Sequence, residues 1–552
     1  MIYFQISCQN PASQFLQIQL DLDILEKAPL SLQLPAWRAG RYQLANFAQN
    51  IREFSVFDEN GKEIPFRKTS KDRWEIEPGN SNKMRVTYEY WAGKMDAGSA
   101  WVDDEQVYIN LVNCCFEVVD RSEEEIQVEL NLPDFAQLVS TLTPTSPATW
   151  RADNFQMLAD STVLAAKKLS HWKYREGSTN FHIWIHGEVH FDKALFLERF
   201  SAFSRKLIQD FGEFPEPEYH FIFQLLPYPH YHGVEHRRGT VITFGPAESL
   251  QEIDQLEELL GVSCHELYHA WNVCRIRPME LLPYDFSKET YTHCGLILEG
   301  VTTYMGDLYL LKSGVYDLPT YLRHLEKVLQ REAAGFGWKN YTIQESSYDL
   351  WLDGYVPGIP DRKVNIYSHG TLLALCIDIL LLKNGSSLVQ VMRNMWVNFG
   401  KPFTGYEFGD FEDLILDEFS EPDEIRAFFS EFVHGYEDLF PALKALLPEI
   451  GLSIEETFGD DWLLHKLGVR TSFEGIVSQL QPDSKASLTL MRNDRIVDWP
   501  VKLPMESENP TLQIERNGRL LEVQLSYEDK KFFPLYRLVP KESTSLSARW
   551  KA

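Results

Sequence analysis

Five residues place the strongest constraint on this 552-residue chain: His265-Glu266-Leu267-Tyr268-His269 reads H-E-x-x-H, and Glu299 follows thirty residues later in Leu298-Glu299-Gly300-Val301-Thr302-Thr303-Tyr304. Positions i and i+4 share a face only on a helix, so a chain that uses this motif must build one here. His265 and His269 can then each turn a ring nitrogen toward one Zn²⁺, with Glu266 beside the open coordination position. Glu299, on what reads as the next helix, supplies the carboxylate of a His₂Glu set and leaves the fourth place for water, as catalytic zinc sites do. The bland alternative is a helix with two surface histidines.

Composition narrows the classes of partner. With 44% hydrophobic and 13% aromatic residues the chain can fill large cores, and 552 residues suggest two to four domains. The 53 basic against 80 acidic residues give a formal charge of −27, which opposes nucleic-acid phosphate or anionic lipid as a partner. The seven cysteines are odd in number and lack C-x-x-C spacing, so free thiols in a reducing compartment are expected. Met1-Ile2-Tyr3-Phe4-Gln5-Ile6-Ser7 has no basic n-region and reads as a first strand, which makes the cytoplasm the expected address. The longest apolar run, Leu372 to Leu382, is eleven residues and carries Asp378, so no membrane span is expected. Oligomeric state stays open.

Periodicity divides the chain into an expected multidomain α+β protein. Up to about residue 170, runs such as Leu16 to Leu20 and Val86 to Tyr90 alternate with period two, and Asp58-Glu59-Asn60-Gly61 is a hairpin signal, so residues 1–170 predict an antiparallel, sandwich-like β domain. Over residues 171–455 the period lengthens. Leu250, Ile253, Leu256 and Leu260 fall at helical spacing with Ser249 and Glu252 placed as a capping box, and Gly261 is a candidate break before the motif. Further helices are expected through Glu299 to Lys312-Ser313-Gly314 and from His369-Gly370 to Lys383-Asn384-Gly385, among strands at His220 to Leu225 and Thr240 to Phe244. Residues 456–552 return to short β runs, at Gly475 to Val477, Arg495 to Val497 and Leu520 to Leu525.

The run from His265 to Pro278, His-Glu-Leu-Tyr-His-Ala-Trp-Asn-Val-Cys-Arg-Ile-Arg-Pro, resembles the zinc helix of the glycyl aminopeptidase family of gluzincin metallopeptidases. Glu299-Gly300-Val301-Thr302-Thr303-Tyr304 resembles that family's E-G-F-T-x-Y, His232-Gly233-Val234-Glu235-His236 its G-G-L-E-H, and Trp37-Arg38-Ala39-Gly40-Arg41-Tyr42 its W-x-P-G-x-Y. The resemblance implies a thermolysin-like, mainly helical catalytic domain, one zinc per chain, and peptide substrates with a free amino terminus and glycine or alanine first. The last region resembles a degenerate PDZ domain through Gly475-Ile476-Val477, Gln481-Pro482-Asp483-Ser484-Lys485-Ala486 and Arg492-Asn493-Asp494-Arg495-Ile496, with Leu467-Gly468-Val469 as candidate carboxylate-binding loop. Departures include Cys274, Val301, His232 and Ala39; none removes an expected metal ligand.

Roles follow for the remaining residues. Glu266 is the expected general base that takes a proton from water and passes it to the leaving amine. Tyr367, in Tyr367-Ser368-His369-Gly370, is similar to the tyrosine of Y-x-K-G in related aminopeptidases and would donate to the oxyanion, with Tyr304 as competitor. Glu235 suits the substrate ammonium. His230, His232 and His236 are expected in a loop, hydrogen-bonded or exposed, and Asn272 either orients a ligand or caps its helix. Two other functions are carried forward: a zinc endopeptidase, for which Glu235 is an ordinary acid, and a non-catalytic peptide- or partner-binding protein on the same fold.

Overall fold

In the first strand, Ile2–Ser7, the side chains of Ile2, Phe4 and Ile6 are buried while their neighbours stay half exposed, the alternation that commits one face of a strand to a core. The structure, a computed structural model, describes residues 1–132, 137–356, 358–497 and 509–552. Seven such strands form one sheet in the order Thr143–Ser146, Thr149–Ala152, Ile126–Asn131, Ile2–Ser7, Phe15–Asp23, Lys83–Trp91, Ile51–Asp58. The sheet is not wholly antiparallel, because Ile2–Ser7 and Ile126–Asn131 run parallel. Parallel neighbours need a long connection, and residues 8–125 supply one that also carries a four-stranded sheet, Glu117–Val118, Leu30–Gln33, Arg73–Ile76 and Phe66–Ser70. Trp74, from that second sheet, packs on Phe54 and Phe116 at ring distances of 5.2 and 5.0 Å. Gly61 holds φ 78° at the expected hairpin.

The middle region opens with a five-stranded sheet ordered Ser170–Glu176, Thr179–His186, Glu218–Leu225, Gly239–Gly245, His230–His236. The last of these is the edge, antiparallel to its neighbour. His230, His232 and His236 therefore sit on a strand and not in a loop. Their even positions share a face with buried Val234, while Tyr231, Gly233 and Glu235 face the other way.

Helix Ile253–Tyr268 runs unbroken through Gly261, and its expected capping box does not form: Ser249 donates its hydroxyl to the Pro246 carbonyl inside a 3₁₀ turn, and Glu252 makes no side-chain cap. A glycine inside a helix costs about 1 kcal/mol, and the burial of Leu259, Leu260 and Val262 around it outweighs that. The helix through Glu299 begins with a π turn, Leu296–Val301, and continues as Thr302–Lys312. Ser368–Lys383 is buried along its length up to Leu382, as a central helix hydrophobic on every side must be. No single helix among the described residues is long and apolar enough to cross a bilayer. All seven cysteines are buried and free.

The carboxyl-terminal region is β-rich, with Val469–Thr471 paired to Val477–Leu480 and a sheet of Arg495–Ile496, Thr511–Arg516 and Arg519–Gln524. The chain then returns: Leu535–Pro540 pairs with Leu452–Thr457, and helix Ser545–Lys551 inserts Trp550, 1% exposed, into the core of the middle region. Gly468, in the candidate carboxylate-binding loop, ends helix Trp462–Leu467 at φ 70°. A Cβ there would stand 2.7 Å from that of Gln481, so the chain's own residues fill that side of the loop.

Candidate metal centre

His265 and His269 lie at the carboxyl end of helix Ile253–Tyr268, where their Nε2 atoms face each other at 3.1 Å. Glu299 Oε2 is 3.7 Å from the first and 3.6 Å from the second. Donor atoms of the three residues all lie within 4.8 Å of one another, the spacing of a set that can close on one cation.

Local sequence explains this convergence. Asn272, one turn after His269, turns its backbone carbonyl onto His269 Nδ1 at 2.8 Å, so Nδ1 donates and Nε2 keeps its lone pair for the cluster. The Asn272 side chain donates to Ile297 O and Thr302 Oγ1, at 2.7 and 2.9 Å, and ties the π turn that carries Glu299 to the motif. Asn272 thus acts through both main chain and side chain, and is more than a helix cap. The turn it makes is tight enough that Val273 adopts φ 95°, a backbone region L residues rarely enter.

Three glycines let the helices come this close. A Cβ on Gly300 would stand 2.6 Å from Gly370 Cα, and one on Gly306 3.1 Å from His265 Cα. The first contact sets the π turn against the start of Ser368–Lys383, and Tyr367, the residue before that helix, lines the same cleft as Glu299. Tyr304 is committed elsewhere. Its hydroxyl donates to Asp378 at 2.6 Å and accepts from Trp550 Nε1 at 2.9 Å, and the side chain is buried in the core. Of the two tyrosines, Tyr367 is the one that lines the cleft with the donor set. His369, at the lysine position of the resembled motif, is buried and bonded to Glu332 at 2.8 Å.

Glu266 and Glu235 complete the wall. Gly233 on the edge strand has its Cβ place 2.3 Å from Glu266 Oε1, and Gly40 from the amino-terminal domain has its own 2.3 Å from Glu235 Oε1. Gly40 is delivered by Trp37, fully buried, whose Nε1 donates to Asp285 O at 2.8 Å. Two domains thus build one cleft of about 570 Å³, which contains Gly40, Glu235, His265, Glu266, His269, Glu299 and Tyr367. Tyr42 and Tyr355 stand at the same end, each within electrostatic reach of Glu235 and Glu299.

Charge in this cleft is unbalanced. Burial opposes a proton on His269, yet the bond to Glu299 and the carboxylates of Glu299, Glu235 and Glu266 push its imidazole up to about 10. Burial, and then His269, hold His265 well below its ordinary value. Burial pushes Glu266 up to about 8, with His269 opposing and Glu235 and Glu299 adding. Burial also raises Glu299, against the His269 imidazole 3.6 Å away. Three acids and two imidazoles share too little positive charge, and one Oε2 each of Glu266 and Glu299 is buried without a partner. The donor set fits a divalent cation that takes a lone pair from each imidazole and an oxygen from Glu299.

Sequence reasoning placed the metal donors, Glu266, Glu235 and Tyr367 individually, and the fold brings all six to one cleft. It missed Gly40 as part of that cleft and the Gly300–Gly370 contact behind it. For Gly300 the only signal was adjacency to Glu299, and for the others no local pattern distinguishes a contact across segments from a turn.

Residues 3–167 match the family described as the Peptidase M61 N-terminal domain, and residues 258–373 match M61 glycyl aminopeptidase. No curated protein matches the chain. A crystal structure of an aminopeptidase N family protein from Idiomarina loihiensis has the same fold at a TM-score of 0.90, with 22% identity and 100% of both chains covered. An M1 zinc metallopeptidase from Deinococcus radiodurans, a mutant bound to a Tyr-Ser-Ala substrate, aligns at a TM-score of 0.51 and 13% identity over 79% of this chain and 94% of that one. The two family matches, falling on the amino-terminal β domain and on the helices that carry His265, His269 and Glu299, show that the chain belongs to the M61 glycyl aminopeptidase family and is a metallopeptidase.

Proposed function

We propose that the protein is a zinc-dependent aminopeptidase that removes amino-terminal glycine or alanine from peptides, using one zinc held by His265, His269 and Glu299. The observation that carries this reading is the Glu235 carboxylate, 8% exposed, on a sheet edge that faces the metal donors across one cleft. A buried acid in that place pairs with the α-ammonium and selects chain ends over internal bonds. The adjoining edge strand offers peptide groups to an extended substrate. Tyr367 and the Gly40 backbone, which closes on Glu235, line this cleft and narrow it, which favours a small first side chain. This agrees with the family's glycyl name.

Zinc, when bound, lowers the pKa of a water and polarises the scissile carbonyl. Glu266, free at Oε2 and beside Gly233, would hold the proton given up by an attacking water and pass it to the leaving nitrogen. Tyr367 gives its phenolic hydrogen to the developing oxyanion. Glu235 and the edge strand hold the peptide so that these groups meet the first bond and no other.

The test is hydrolysis of glycyl and alanyl chromogenic amides by zinc-supplied protein. The expected result is turnover that disappears with a chelator and in Glu266→Gln; undiminished activity in either sinks the reading. An endopeptidase reading draws on a second cavity of about 420 Å³ beyond Glu235, lined among others by Arg38, His236, Arg277 and Tyr284. Equal cleavage of amino-acetylated and free peptides would favour it.

A further inference from the structure

Glu235 stands one residue from the tip of an edge hairpin. Strands His230–His236 and Gly239–Gly245 pair so that Glu235 faces Thr240 and His236 faces Gly239, which leaves Arg237 and Arg238 as the two residues of the turn. An edge strand is paired on one side only, and hairpin ends are where pairing frays first. An acid that has to meet an ammonium beside a metal needs a fixed place.

One carboxylate ties this turn down. Glu216, in the connection between helix Lys193–Phe211 and strand Glu218–Leu225, has a side chain only 9% exposed. Its Oε1 accepts from Arg237 Nε at 2.6 Å and from Arg275 at 3.2 Å, and its Oε2 lies 3.9 Å from Arg238 Nε. Arg275 belongs to the turn after the H-E-x-x-H helix, in which the Cys274 amide donates to the His269 carbonyl at 3.1 Å. The same connection grips that turn a second time, because Trp271 Nε1 donates to the Glu213 carbonyl at 3.2 Å. Glu216 itself stands outside the cleft lining, so any effect it has on substrate passes through the segments it holds.

Charge gives the contact its force. Burial, and then Arg237, lower the Arg275 guanidinium, while Glu216 opposes them. Without a negative charge between the two guanidiniums, the segments that carry Glu235 and His269 repel each other.

We infer that Glu216 is a positioning residue for the ammonium end of the site: by clamping Arg237 and Arg275 together it sets where Glu235 stands relative to the metal donors. This rests on the aminopeptidase reading, in which Glu235 meets the substrate ammonium. A contact made equally well before and during bond cleavage is read in KM and not in kcat.

The experiment follows turnover of a glycyl chromogenic amide by full-length, zinc-supplied protein. Glu216→Gln keeps the shape and removes the charge, and is expected to raise KM about tenfold with kcat within about twofold and zinc content unchanged. Glu216→Asp should recover part of the loss. Arg237→Gln, which removes one arm of the clamp and leaves the carboxylate paired with Arg275, should raise KM about threefold. In a Glu235→Gln background, where the ammonium contact is already gone, Glu216→Gln should add less than about twofold. An unaltered KM in Glu216→Gln, a loss that falls in kcat or in zinc content, or a full effect on top of Glu235→Gln overturns the inference. A raised KM in Glu235→Gln beside an unaltered one in Glu216→Gln strikes the clamp alone, whereas an unaltered KM in Glu235→Gln strikes the aminopeptidase reading and the clamp with it.

Discussion

Gly300 and Gly370 meet so closely that a Cβ on the first would lie 2.6 Å from the backbone of the second, whereas at Gly459, in the carboxyl-terminal module, the nearest atom to a Cβ is 3.5 Å away. The middle region has spent its glycines on bringing helix backbones into contact. The carboxyl-terminal module has not: its strands between residues 469 and 524 run two to six residues, and it leaves Phe473 and Leu488 exposed. The difference teaches where positional accuracy is needed. Donors from two helices can converge on one cation only if the helices cannot drift, and close packing supplies that rigidity. The module is held to the rest of the chain by its last strand and helix, with Trp550 bonded to Tyr304 in the shared core.

The sharpest break of the contrast is Glu266→Gln, which keeps shape and removes the proton acceptor. We expect a kcat loss of about a thousandfold, measured on alanyl amide, with zinc content unchanged by metal analysis. Next comes Gly300→Ala. The added methyl must push the π turn from Ser368–Lys383, and a misplacement of about 1 Å in a catalytic set costs roughly a hundredfold in rate. Gly459→Ala is its control in the module and should leave kcat/KM within about twofold. If both alanines behave alike, the comparison fails.

Trp550→Ala should cost about 3–5 kcal/mol in urea unfolding through the lost core volume. Phe473→Ala should move the same midpoint by less than about 0.5 kcal/mol, since that ring is exposed. A further break concerns pH. Burial, then His182, Arg238 and His171, hold His220 down to about 3, and Trp184 Nε1 donates to its Nδ1 at 3.2 Å. The folded protein keeps this ring neutral, while the unfolded chain takes up a proton below the ordinary value of 6.5. Stability present above pH 6.5 therefore drains away as pH falls toward 3. Urea midpoints from pH 7 to 4 should fall less steeply in His220→Gln, and an unchanged slope would assign the acid loss to other groups.

Much of the architecture was legible because period-two runs such as Leu16 to Leu20 and Val86 to Tyr90 commit to strands wherever one face is buried. The helix ends at Gly314 and Gly385 were legible too, as left-handed glycines beside a last-turn lysine. Gly261 misled because helix propensity is weak against three turns of buried contacts. The His230–His236 strand was missed because its histidines and glycine imitate a loop, and only pairing with Gly239–Gly245 makes it a strand. The parallel pairing of Ile2–Ser7 depends on a return from residue 126, which no local pattern carries.

By itself the sequence determined the donor types: two imidazoles four residues apart, an acid between them and a carboxylate thirty residues on are covalent facts of the chain, and helical geometry puts the two imidazoles on one face. Tertiary structure alone decided which tyrosine lines the cleft with the cluster and that Gly40 from the first domain lies against Glu235. Those are contacts between segments tens to hundreds of residues apart, and their geometry comes from helix-on-helix and domain-on-domain packing, in which steric fit acts between surfaces that no local stretch of chain contains.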